Sequence, residues 1–313
     1  MNRRGLMEAG LNVGLDIGGT KVLGVLLGPD DAVLGSVLLP TMRGVEGVVA
    51  TAAKAVRALR DNAETGPDAA IDVGIGVPGV VDSAAGTVAH AINLGFPGGA
   101  TPLAHLLSEE LDGARVRAEN DLNVAALGAV HAAGGPADLA FLGLGTGLAA
   151  GLVLDGRLRR GAFGAAGEIG HLPFVADGPV CACGQRGCLE LYASGASLEA
   201  RWPGHGDVPA SAALFAAASA GDLAAIAVRD EFARAVAAAV RILVLTTDVA
   251  CVVLGGGVSE LGAPLRDAVV SALDARAAGS EFLASMRIGQ RVRLAPRGVP
   301  LAAIGAALVG RGP

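Results

Sequence analysis

Several things are scarce in this chain, and each scarcity removes a class of function. No dense stretch of Lys and Arg occurs, and the net charge is −6. The "RLRR" at 157–160 is too short for a nucleic-acid surface and reads as the solvated end of a hairpin. Nucleic acid is therefore excluded as an expected partner. The longest uncharged apolar run, residues 139–154, is shorter than a bilayer-spanning helix and is broken by glycines. Arg3 and Arg4 are not followed by the apolar segment of a secretory or twin-arginine signal. The expectation is a soluble cytoplasmic protein with no membrane partner. Aromatic residues make up 3% of the chain while glycines number 48, a balance that predicts tight turns and close backbone approaches. With 313 residues, 52% of them hydrophobic, there is material for one large domain or two lobes.

Residues 1–11 read as a loose tail. From Asn12, "NVGLDIGGTKVLGVLLGPDDAVLGSVLLP" gives three apolar runs separated by turn signals, predicting three strands joined by hairpins. Residues 45–61 have helical spacing. "IDVGIGVPGVVD" (71–82) is a buried-type strand halted at Pro78-Gly79, and "ARVRA" a short strand before a helix capped by Asn120 or Asp121. A second triple-strand pattern over 139–161 echoes the first and suggests an internal duplication. Helices are expected near 190–200, 211–219 and 222–246, then a strand at 249–258, a helix to about 277, a strand near 292–294 and a last helix over 300–309. Strands alternating with helices define an α/β protein. Two lobes, each opening with a strand meander, would leave a cleft between them.

Three glycine-rich turns carry the first chemistry. In "DIGGTK" (Asp16, Gly18, Gly19, Thr20, Lys21) the glycines can point backbone N–H groups at an anion, while Thr20 and Lys21 add a hydroxyl and a positive charge. Asp16 is a candidate Mg²⁺ ligand. An ordinary glycine hairpin explains that turn alone equally well. A second turn, "GLGTGLAAG" (143–151, with Gly145, Thr146 and Gly147), and a third, "LGGGVSE" (254–260, with Gly255, Gly256 and Gly257), favour a polyphosphate clamp. Neither a P-loop nor a Rossmann fingerprint fits. In "AENDLNVAALGA", Glu119, Asn120 and Asp121 stand where a strand gives way to a helix. A carboxylate there stays ionised and can take a proton from a hydroxyl, although a plain helix cap is the commoner role.

Four cysteines are present, three of them within "CACGQRGC". His171, Cys181, Cys183 and Cys188 make the donor set of a closed, structural Zn²⁺ site. A disulfide would need an oxidising compartment and would leave an odd cysteine. Cys251 reads as a small core residue.

Taken in order, "GLDIGGTK", "GIGVPGVVD", "NLGFPGGATPL", "ENDLNVAALGA", "GLGTGLAAGLV", "GEIGHLPF", "CACGQRGCLELYASG" and "LGGGVSE" resemble the ROK (repressor, open reading frame, kinase) family of bacterial sugar kinases and regulators. The resemblance runs from about Asn12 to the C-terminus, and the cysteine segment preceded by G-E-x-G-H is its most specific part. It implies an actin-like, ribonuclease H-like two-lobed ATPase fold with ATP and a hexose in the interlobe cleft. The lobes would span 12–119 and 120–313, with the last helix packing either on its own lobe or back on the first. By resemblance, Asp121 is the base that receives the proton of the sugar's 6-hydroxyl as it attacks the γ-phosphoryl group. Asn93, Asn120, Glu168, His171 and Glu190 would bind the other hydroxyls, with Pro78-Gly79 as a wall. Gly14 to Lys21 and Gly145 to Leu152 would cradle the phosphates, and Gly255 to Gly257 would lie near the nucleoside. Phosphoryl transfer requires mostly positioning and charge neutralisation, which such turns, Mg²⁺ and one carboxylate supply. The chain departs from the family in carrying Ala149 and Ala150 for glycines of the second turn, and Phe96 where glucokinase-like members commonly have Trp. The expected activity is ATP-dependent phosphorylation of glucose, with N-acetylglucosamine, N-acetylmannosamine or fructose as alternatives. A sugar-sensing regulator is the rival. The family's repressors carry an N-terminal helix-turn-helix, for which the residues before Val13 are too few. A homodimer or homotetramer is the expected assembly.

Overall fold

The structure, a computed structural model, describes residues 11–62, 71–96, 98–132, 134, 136–204 and 206–312. The expected tail lies outside them except for Leu11, which is buried in the first strand, and Pro97 of the "NLGFPGG" segment lies outside them too. The chain forms two compact units, Met1–Gly135 with Arg160–Ala165 and Gly298–Pro313, and Pro136–Arg159 with Ala166–Arg297. The lobe boundary expected after residue 119 thus falls inside the first unit, at the junction of a strand and the helix Asp121–Ala132.

In the first unit, β1 (Leu11–Ile17), β2 (Lys21–Leu27) and β3 (Val33–Pro40) form the expected antiparallel meander. Next come β4 (Ile71–Val77), a small hairpin of β5 (Val80–Asp82) and β6 (Thr87–Ala89), and β7 (Val116–Asn120). The sheet order is β3-β2-β1-β4-β7, with β1, β4 and β7 parallel. Neighbouring residues of a strand face opposite ways. Val13, Leu15 and Ile17 join one core with Val48, Ala52, Val56 and Leu59 of the helix Val45–Asn62. Gly14 and Gly74 face the helix Leu301–Arg311 instead, so closely that a Cβ on Gly74 would stand 1.8 Å from the Ala306 carbonyl oxygen. The last helix therefore packs on the sheet of the first unit.

The second unit repeats the plan. Its strands β8 (Leu139–Leu144), β9 (Leu148–Leu154), β10 (Arg157–Leu158), β11 (Cys251–Gly255) and β12 (Val292–Leu294) run in the order β10-β9-β8-β11-β12. Pairing is again antiparallel in the meander and parallel beyond it. The two sheets share one topology, which gives the duplication suggested by the sequence a structural counterpart. The long helix Leu223–Thr247 starts at Asp222, whose carboxylate accepts from the Ala224 and Ala225 N–H groups at 2.8 and 3.0 Å. No helix among the described residues is long and apolar enough to cross a membrane.

Candidate active site

Three of the expected segments meet at the carboxyl ends of parallel strands in the first unit. Asp16 pairs with Gly76, Gly76 with Glu119 and Val77 with Asn120. The end of β1, the Pro78-Gly79 turn and the Asn120-Asp121 junction are thereby adjacent, at the strand ends where open α/β sheets place their ligands. Asn120 takes the capping role, since its Oδ1 accepts from the N–H groups of Leu122 at 2.9 Å and Asn123 at 3.3 Å. Its Nδ2 donates to the Gly79 carbonyl at 3.2 Å, which ties the two turns together.

Asp121 opens the helix and affects Asp16 electrostatically. The Asp16 carboxyl is pushed up to about 6, first by burial and then by the negative charge of Asp121, against the opposing pull of Lys21. In the turn that follows, the Gly18 N–H donates to the Lys21 carbonyl at 2.9 Å. Thr41, which the sequence did not mark, braces the turn by donating its Oγ1 to the Gly18 carbonyl at 2.7 Å and its N–H to that of Thr20 at 3.0 Å. Asn93, in the short 3-10 turn Ile92–Leu94, lies against the same turn, and a Cβ on Gly19 would come within 2.8 Å of its carbonyl oxygen.

Glu119 is the residue that sequence reasoning noticed but gave no role. It is 1% exposed. Its carboxylate accepts from Ser83 Oγ at 3.1 Å, the Asn120 N–H at 3.0 Å, Asn123 Nδ2 at 2.9 Å and Arg160 Nε at 2.5 Å. A buried carboxylate so fully paired fixes the backbone beside Asp121. Its partner corrects the reading of "RLRR". Arg159 does stay at the hairpin, 2.9 Å from Asp155, but Arg160 enters the first unit as the counter-ion of Glu119.

The second unit holds the other glycine turns. Gly145, Thr146 and Gly147 join β8 to β9, and the Gly195 N–H donates to the Gly145 carbonyl at 2.7 Å. Gly255 ends β11, which is parallel to β8 with Gly255 opposite Gly143, and Gly256 and Gly257 follow it. Both turns thus stand at the carboxyl ends of neighbouring strands. A Cβ on Gly145 or Gly257 would meet nothing within 4 Å, so their backbones are open to a ligand. Ala149 and Ala150 lie in β9, paired with Gly143 and Leu142, and neither has a positive φ. The methyl groups that replace the family's glycines therefore cost no backbone strain. Glu190 rests on this turn: its Oε2 accepts from the Leu148 N–H at 2.9 Å and would stand 2.5 Å from a Cβ on Gly147.

His171, Cys181, Cys183 and Cys188 form one cluster, with their ligand atoms all within 4.8 Å of one another. Cys183 Sγ is 3.6 Å from Cys188 Sγ, and Cys181 Sγ is 3.9 Å from His171 Nδ1. His171 Nε2 lies 4.0 Å from Glu168 Oε2. Hydrogen bonds from Gln185, first from its backbone and then from its side chain, bring the exposed Cys183 thiol down to about 6. The loop closes on Gly187, whose φ of 64° and distance of 1.6 Å from a Cβ to the Val175 carbonyl oxygen admit no side chain. Cys251, at the start of β11, stays unpaired and half-buried.

Comparison with known proteins places the chain in a family. The model of the ROK family matches residues 12–310, and the chain belongs to that family. Its fold is the actin-like ATPase fold of the ROK sugar kinases. The crystal structure of a ROK hexokinase from Thermus thermophilus is similar with a TM-score of 0.78 and 35% identity, covering 95% of this chain and 97% of that one. A ROK family glucokinase from Streptomyces griseus, in complex with glucose and AMPPNP, gives 0.77 and 32%, with 97% of this chain and 100% of that one covered. Among curated relatives, a glucokinase of Streptomyces coelicolor is 38% identical over 191 residues, which are 60% of this chain and 58% of that relative. The chain thus spans a little over half the length of that relative in the match.

Proposed function

We propose that this protein is an ATP-dependent hexose kinase that phosphorylates the 6-hydroxyl of glucose, with Asp121 as the general base. The observation that carries the reading is the juxtaposition of Asp16 and Asp121 at adjacent strand ends, close enough for the negative charge of Asp121 to disfavour ionisation of Asp16. One carboxylate would take a proton and its neighbour would face a cation, as transfer of a phosphoryl group to a hydroxyl requires. The helix N-terminus favours the ionised form of Asp121, and Asn120 with Glu119 holds it in place. The similarity to glucokinases, one of them bound to glucose and an ATP analogue, supports glucose and ATP as substrates. Gly79, Asn93, Asn120, Glu168, His171 and Glu190 would hold the sugar, and the backbones of Gly18 to Lys21, Gly145 to Gly147 and Gly255 to Gly257 the nucleotide. Asp16 suits Mg²⁺, which when bound neutralises phosphate charge.

The cysteine cluster suits a structural zinc. Zinc–sulfur bonds of about 2.3 Å in a tetrahedron set ligand atoms about 3.8 Å apart, and the observed separations of 3.6 and 3.9 Å match. Zinc would there fix the loop from Glu168 to Glu190. His171 would face it through Nδ1, leaving Nε2 to orient with Glu168 toward the sugar.

The test is a coupled assay of ADP release with glucose, N-acetylglucosamine, N-acetylmannosamine and fructose. Turnover on glucose is expected, and no turnover on any of the four overturns the kinase reading. Asp121→Ala should lower kcat by about 10² to 10⁴ with the fold intact. A loss of less than about tenfold would remove Asp121 from the role of base.

A further inference from the structure

The second unit contains a cavity of about 830 Å³ lined by none of the phosphate, sugar or metal residues discussed above. It lies along the helices Leu223–Thr247 and Ala263–Ala277. Alanines on both helices, among them Ala237 and Ala272, leave this space because they are too short to fill it. Arg234 and Arg241 are seven residues apart on the first helix, two turns along one face. Arg276, near the end of the second helix, contributes to the same cavity, as does Arg229.

The charges in this cavity do not cancel. Asp230 is engaged by Arg229, at 2.7 Å from Nη2, and Asp267 by Arg266 at 2.8 Å. Arg234, Arg241 and Arg276 have no hydrogen-bond or ion-pair partner among the described residues, and Arg241 Nε is shut off from solvent with nothing to donate to. Four arginines against two aspartates make this a positive cavity in a chain whose net charge is −6. Guanidinium forks approaching from two helices match the several oxygens of a phosphate better than a single carboxylate. A volume of this size belongs to a small-molecule site rather than to a bare ion.

We propose that this cavity binds a phosphorylated small molecule, its phosphate held by Arg234, Arg241 and Arg276 and its remaining part lying on the alanine wall. Glucose 6-phosphate, ADP and tripolyphosphate present the same anionic chemistry from three sources, and isothermal titration of each against the full chain separates them. Because the catalytic region can bind these compounds too, the readout is the difference between the parent and Arg234→Ala/Arg276→Ala. Both residues are exposed and unpaired, so the variant should fold, as thermal unfolding will verify. Arg234→Gln and Arg276→Gln singly serve if it does not.

The expected result is that at least one compound binds the parent with a component weakened tenfold or more in the variant. That component should also weaken with added salt, while kcat and KM for the sugar stay unchanged. The proposal is overturned if parent and variant titrate identically with all three compounds. It is equally overturned if the variant changes only the association state, for the cavity would then be an interface between copies of this chain. Neither outcome bears on turnover, so failure here is distinct from failure of the kinase reading.

Discussion

A carboxyl group held near a pKa of 6 at the end of β1 makes the fold sensitive to pH in a defined direction. The folded value of Asp16 lies above its ordinary 3.8, so the folded state binds this proton more tightly than the unfolded chain. Its contribution to stability is complete below about pH 3.8, declines as the pH rises toward 6, and is flat above. In metal-free protein, Asp16→Asn should gain stability relative to the parent between pH 4 and 7, by at most about 3 kcal/mol. Urea unfolding at several pH values measures it, and parallel curves for the two proteins would refute the assignment. Asp16 could be picked out from the sequence because it sits in a short motif whose residue types carry their own chemistry, whereas Asp121 stood out as a base only through the family resemblance. The role of Glu119 could not, since Ser83 and Arg160 reach it from 36 and 41 residues away. Thr41 escaped for the same reason: its hydrogen bond to Gly18 spans 23 residues.

Individual elements follow their local signals where those signals exist. The meander of β1 to β3 is announced by Gly-Gly and Gly-Pro-Asp-Asp turns, and β12 occupies residues 292–294 as expected. The helix Leu103–Glu110 was not foreseen. It starts after Thr101-Pro102, a start signal that the reading passed over, although no side chain caps it. The helix expected over 190–200 is two helices, broken at Ser194, which forms a capping box with Ser197 for the second. The cysteine loop was legible for a different reason, because ligand chemistry restricts both residue types and spacing. If zinc occupies it, elemental analysis should give about one zinc per chain. Removing zinc by chelation should lower the thermal midpoint, and Cys188→Ser should reproduce that loss. Fully active protein without bound metal would show that the loop holds itself together. Gly187→Ala should also destabilise it, given the contact with Val175.

At the scale of the molecule, the repeated strand order of the two sheets was visible in the sequence only as two similar meanders. The parallel strands completing each sheet come from far along the chain, β11 and β12 more than 90 residues after β9, and no local pattern reports such pairings. The packing of Leu301–Arg311 on the first sheet depends on a backbone approach that only glycine allows. Gly74→Val should therefore cost about 3 kcal/mol or more, read by denaturant unfolding. A loss below about 0.5 kcal/mol, ordinary for a surface change, would mean that helix and sheet are less intimately joined.

That same helix sets an order of events during synthesis. Every residue of the second unit is translated before Gly298, where the returning segment begins. The part of the sheet face bearing Gly14 and Gly74 therefore lacks this helix on the ribosome while the second unit emerges and can fold. The unit begun first is the one finished last, and its exposed apolar face is what a chaperone would be expected to shield in the interval.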